Sequence, residues 1–136
     1  MGQEFKANGR LTALSGWVVV PVPLHKRKRR QRGFNQSEML ARGWSDATGM
    51  PVLNALVRPR SGGSLTRLGR HERIRDTAGR YIPNPRLESG WSLAVQGCLL
   101  LDDVITTGST LTACHQALTP IWSGPMGFLT MLDAAA

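Results

Sequence analysis

Two cysteines, Cys98 and Cys114, are too few for a disulfide framework or a four-ligand zinc site. The expectation is a cytoplasmic protein with reduced thiols and no bound zinc. Long apolar runs are also missing. The longest, Trp17 to Leu24, carries two prolines and is far too short to span a bilayer. The start lacks the apolar region of a signal peptide, and Lys6 stands where a myristoylation pattern wants Ser or Thr. Repeats of solenoid length are absent. So is a G-x-x-x-x-G-K-[ST] phosphate loop, which excludes the common NTPase reading. Acids are scarce, nine against 17 basic residues, and lysine supplies only three of the 17.

What is present starts with arginine. The net charge is +8, and fourteen arginines carry most of it. Guanidinium offers a fixed fork of donors suited to phosphate or carboxylate. Six basic residues lie between Lys26 and Arg32, and eight between Arg58 and Arg86. Two such segments in a short chain imply an anionic partner, either a phosphorylated small molecule or a nucleic acid. Lys26, Arg27, Lys28, Arg29, Arg30 and Arg32 suit single-stranded DNA or a plain solvated loop equally well. Aromatic support for base stacking is thin, because Phe34 is the only aromatic nearby and suits a packing anchor.

With 136 residues and 41% apolar content, the chain makes one domain, 1–136, with a core. Residues 3–14 read weakly as a helix. Trp17 onward is a β-branched strand covered on both faces, ended by Pro21 and Pro23. Asn35 is a candidate N-cap, with Glu38 three residues on. Met39, Leu40, Gly43, Trp44 and Ala47 then give a helical stripe to Gly49. Pro51 to Val57 is a second strand candidate. Residues 58–90 are expected to be irregular, with Trp91 and Trp122 in loops and Trp122 packing. Gly97 to Asp103 is a buried strand, Val104 to Ser109 a turn, Ser109 to Leu118 a helix and Met126 to Leu132 a last strand. Alternating strands and helices predict an α/β fold, Rossmann-like, with a mostly parallel sheet flanked by helices.

The most specific segment is Leu99 to Thr110. Asp102 and Asp103 fall at the carboxyl end of a strand, where open parallel sheets bind ligands. The turn behind them holds Thr106, Thr107, Gly108, Ser109 and Thr110 and opens a helix. Helix N-terminal N–H groups, a permissive glycine and hydroxyl donors suit a phosphate. Paired carboxylates suit vicinal ribose hydroxyls. A purely structural strand–turn–helix leaves four hydroxyl residues around one glycine unexplained.

This segment resembles the phosphoribosyl pyrophosphate (PRPP) motif of type I phosphoribosyltransferases. Val20 to His25, with Arg32-Gly-Phe-Asn-Gln36, is similar to the signature of the ComF family, the competence-protein relatives of those enzymes. Arg58, Arg60, Thr66, Arg70, Glu72, Arg73 and Gly79 are similar to that family's arginine-rich loop. The resemblance implies that Asp102 and Asp103 hold the ribose and that residues 106–110 cradle the 5′-phosphate. It also implies that Pro23, Leu24 and His25 face the pyrophosphate, and that 58–90 is a flexible loop closing through Arg70 and Arg73. Mg²⁺ would arrive with PRPP and be held largely by ligand oxygens near Asp102 and Asp103.

The implied reaction is phosphoribosyl transfer to or from a nitrogen nucleophile, with PRPP or a phosphoribosylated nucleotide as ligand. The alternative is a non-catalytic module of competence and DNA uptake that binds single-stranded DNA. The chain departs from the pattern at Leu65, where the family has Gln, and at Asp76, where it has Asn. The family's four-cysteine zinc segment is not evident, and little chain remains for an acceptor-selecting hood. The oligomeric state is open, a homodimer included.

Overall fold

A computed structural model describes residues 15–24, 34–59, 80–105 and 108–133. Its central sheet follows from two apolar runs, Trp17–Pro21 (β1) and Gly97–Ile105 (β4), which pair in parallel from Trp17 opposite Gly97 to Pro21 opposite Leu101. Side chains alternate across a sheet, so a run apolar at every position needs cover on both faces. Both faces have it. Val18, Val20, Val22, Cys98 and Leu100 pack on the helix Ser109–Leu118 (α3), through Leu111, Cys114 and Leu118. Val19, Leu99 and Leu101 pack on the helix Gln36–Thr48 (α1), through Ala41 and Trp44.

The strand Met126–Asp133 (β5) adds to the far side of β4, also in parallel. On the near side, Val52 bridges Val19 in parallel. The result is the α/β architecture expected, a mostly parallel sheet flanked by helices and consistent with a phosphoribosyltransferase-like domain. No helix among the described residues is long and apolar enough to cross a membrane.

Several expected boundaries move. The strand candidate at 51–57 divides. Its first part follows β1, with Val19 N–H bonded to Pro51 O and Leu53 N–H to Val19 O. The chain then turns sharply, Ala55 N–H bonding Leu53 O, and Leu56–Val57 (β2) pairs antiparallel with Ile82–Pro83 (β3). A strand therefore exists inside the span expected to be irregular, supplied by a partner too distant in sequence to be read locally. Trp91–Ala94 forms a short helix (α2), and Trp91 stacks on Trp122 with ring centroids 5.7 Å apart. Trp122 is buried, in the packing role expected of it.

β4 runs two residues past Asp103, because β5 offers Leu132 and Asp133 as partners for Val104 and Ile105. In α1 the buried stripe is Ser37, Ala41 and Trp44, while Met39 is 56% exposed. Phe34 is 47% exposed and not the packing anchor expected. Residues 3–14 and the basic segment 25–33 lie outside the described residues.

Candidate functional site

From β1 the chain passes through α1 to the Val52 bridge on one side of the sheet. From β4 it passes through α3 to β5 on the other side. The crevice between the carboxyl ends of β1 and β4 is thus where the winding reverses, the position at which open α/β sheets bind ligands. Both flanking helices begin there, α1 after Asn35 and α3 after Gly108.

A cavity of about 160 Å³ occupies this crevice. The end of β1 supplies Val22, Pro23 and Leu24, and the end of β4 supplies Asp102 and Asp103. Thr110 comes from the first turn of α3, Asn35 and Ser37 from the start of α1, and Arg58 and Tyr81 from the ends of β2 and β3. Gly108 caps α3 with φ 77°, a left-handed conformation that costs a glycine little.

Asp102 is half-buried and tightly held. Its Oδ1 accepts the Ser37 hydroxyl at 3.1 Å and the Asp103 N–H at 2.9 Å. Burial pushes its carboxyl up to about 6, with the Asp103 side chain adding to the rise. The Ser37 and backbone bonds favour the ionised form, and burial outweighs them. Near neutral pH the group is an acceptor that is readily protonated.

Arg58 supplies positive charge to the same cavity. Its guanidinium lies over the Tyr81 ring, 5.8 Å from the centroid. Burial lowers its pKa, yet an arginine stays charged. Burial raises the Tyr81 phenol. The thiols of Cys98 and Cys114 are pushed up to about 11 and about 12, again by burial first, so both are unreactive core groups.

No cluster of three or more His, Cys, Asp or Glu side chains among the described residues is arranged to hold a metal alone. Two carboxylates on an open cavity fit a hard cation carried mainly by the oxygens of a phosphorylated ligand. A second cavity, of about 200 Å³, adjoins the first and shares Pro23, Leu24, Asn35 and Arg58 with it. Asn54 and Asn84 stand in its wall.

Sequence comparison meets this geometry. No family model matches the chain. Competence protein F of Haemophilus influenzae is 33% identical over 108 residues, which is 74% of this chain and 43% of that protein. DNA utilization protein YhgH of Salmonella typhi is 34% identical over 103 residues, 74% and 42% of the two chains. Competence protein ComFC of Bacillus subtilis is 30% identical over 95 residues, 70% and 35%. The chain belongs to the ComF family. This ComF chain spans less than half the length of those relatives.

The candidate site residues divide between described and undescribed positions. Pro23, Leu24, Asp102, Asp103 and Thr110 all line the cavity, and Gly108 and Ser109 stand at the start of α3 beside it. His25, Thr106, Thr107, Arg70, Arg73 and the cations Lys26, Arg27, Lys28, Arg29, Arg30 and Arg32 lie outside the described residues. Tyr81 and Ser37 are site members that sequence reasoning missed. Tyr81 has no local signal. Ser37 follows directly on the Asn35-Gln36 signature, but nothing in that signature specifies its contact with Asp102.

Proposed function

We propose that this ComF chain binds PRPP in the crevice between β1 and β4 and transfers its phosphoribosyl group to or from a nitrogen nucleophile. The observation that carries the reading is one cavity lined by two carboxylates, an arginine and Thr110 from the first turn of the glycine-capped α3. The 5′-phosphate takes the N–H groups of α3 and the Thr110 hydroxyl. Asp102 and Asp103 accept the ribose hydroxyls. Pro23 and Leu24 flank the leaving group, with Arg58 as a neighbouring cation. Mg²⁺ bound with the ligand would supply further neutralisation of the pyrophosphate charge.

In the transfer, the bond from C1 to the pyrophosphate oxygen breaks, a C1–N bond forms and the nitrogen gives up a proton. Positive charge grows on the ribose as negative charge grows on the leaving group. Preorganised carboxylates on one side and cations on the other stabilise that separation. The adjoining cavity, with its asparagine amides, is space beside the ribose for the acceptor. The relatives' names support a role in competence and DNA utilization.

Calorimetric titration with PRPP and Mg²⁺ tests the reading. Saturable binding is expected in the wild-type protein. Loss is expected in the double variant Asp102→Asn with Asp103→Asn, with the folded circular dichroism spectrum retained. Unchanged affinity in the double variant overturns the site.

A second reading, a single-stranded DNA-binding module on the same fold, is favoured by the six cations between Lys26 and Arg32 and by the relatives' names.

A further inference from the structure

We propose that Asn35 and Ser37, at the start of α1, are positioning residues that tie the end of β1 to the end of β4 and set the orientation of the Asp102 carboxylate. Their consequence for ligand binding rests on the phosphoribosyl reading, whereas the contacts stand on geometry alone.

The bonds form a closed ring. Asn35 Nδ2 donates to Val22 O at 3.1 Å, and Asn35 Oδ1 accepts the Ser37 N–H at 3.1 Å. Ser37 Oγ donates to Asp102 Oδ1 at 3.1 Å. Val22 N–H donates to Leu101 O at 2.9 Å, beside Asp102, and closes the circuit. Three elements meet in it, β1, α1 and β4.

Helix capping alone does not call for these residues. Serine, threonine or aspartate would cap α1 as well as asparagine, because a cap needs only the side-chain oxygen. The ring needs the Asn35 NH₂ group as well. Ser37 is 4% exposed, on the stripe α1 buries with Ala41 and Trp44. Alanine would fill such a position. A buried hydroxyl is tolerated because it has a partner, and that partner is 65 residues away at the ligand cavity. With Oδ1 held by Ser37 and by the Asp103 N–H, the carboxylate cannot turn about its own axis without breaking two bonds.

The groups facing Asp102 are Ser37 from α1, Asp103 from its own strand, Cys114 from α3, and Tyr81 and Arg58 across the cavity. Ser37 is the neutral group among them whose side chain donates a hydrogen bond to the Asp102 carboxylate, so its removal breaks that bond and leaves the charge set unchanged.

The test follows amide hydrogen exchange at Asp103 and Val22, with PRPP–Mg²⁺ calorimetry on the same samples. In Ser37→Ala the Asp102 carboxylate loses one of its two restraints, so the Asp103 N–H should exchange faster and PRPP affinity should fall roughly tenfold, with Ser37→Thr, which keeps the hydroxyl, recovering it. In Asn35→Ser the cap oxygen remains and only the bond to Val22 O goes. The Val22 N–H should exchange faster and PRPP affinity should fall with helix content unchanged. Unchanged exchange and affinity in Ser37→Ala overturn the Ser37 assignment, and unchanged exchange and affinity in Asn35→Ser overturn the tie between strands. Absence of PRPP binding by the wild-type protein overturns the functional reading instead, and the exchange rates still decide both contacts.

Discussion

Asp102 is placed against its own stability. Its folded carboxyl titrates at about 6, above the ordinary 3.8, so the fold prefers it protonated. Below pH 3.8 the group is neutral in both states and has no effect. As pH rises through 3.8 toward 6 the unfolded chain ionises first, and folding stability falls; above 6 the whole penalty is present. Asparagine in its place keeps an Oδ1 for Ser37 and for the Asp103 N–H and removes the charge. Asp102→Asn is therefore expected to raise stability at pH 7.5 by on the order of 1 kcal/mol, partial exposure reducing the full effect, and to change little at pH 4. Urea denaturation at the two pH values checks this, and equal differences at both would count against it. A residue that weakens the fold at working pH is expected at a functional site. Asp102 and Asp103 were legible in sequence because strand, turn and helix are contiguous there. Ser37 was not legible as their partner, because nothing local to it specifies a contact 65 residues away.

At the scale of elements, the tight place is where β1 begins. A Cβ on Gly97 would enter the indole ring of Trp17 directly across the ladder. Gly97→Ala must push that ring off its seat against the α1 face of the sheet and should cost about 1–3 kcal/mol. Gly43 is the contrast, mid-helix in α1 with nothing within 4 Å of its would-be Cβ. Gly43→Ala should be neutral or stabilise by up to about 1 kcal/mol. The midpoint of urea denaturation should therefore fall in Gly97→Ala and hold or rise in Gly43→Ala. The centre of each element could be read from periodicity and caps, with α1 starting after Asn35 and ending at Gly49 as expected. The ends could not. β4 extends to Ile105 only because β5 lies beside it, and the strand at Ile82–Pro83 exists only because Leu56–Val57 pairs with it.

For the whole molecule, a net charge of +8 bears on partners. Each phosphate neutralised by Lys or Arg releases counterions, so oligonucleotide binding should weaken steeply between 50 and 200 mM salt. Fluorescence anisotropy with a labelled single-stranded oligonucleotide reads the slope. Salt-independent binding, or none at low salt, would remove the DNA-binding reading and leave the small-ligand site.

The fold class follows from the sequence alone, which also points to one side of the candidate site. Apolar runs at consecutive positions require cover on both faces, and the acid pair, glycine and hydroxyls of 102–110 are neighbours along the chain. Tertiary structure alone decided what faces them. Parallel pairing of β1 with β4 brought Pro23 and Leu24 beside Asp102 and Asp103. Packing of α1 on the opposite face from α3 delivered Ser37 to the carboxylate, and the β2–β3 pair delivered Arg58 and Tyr81. These contacts join residues that no local periodicity links, and they exist only once the strands are wound in both directions from the crevice.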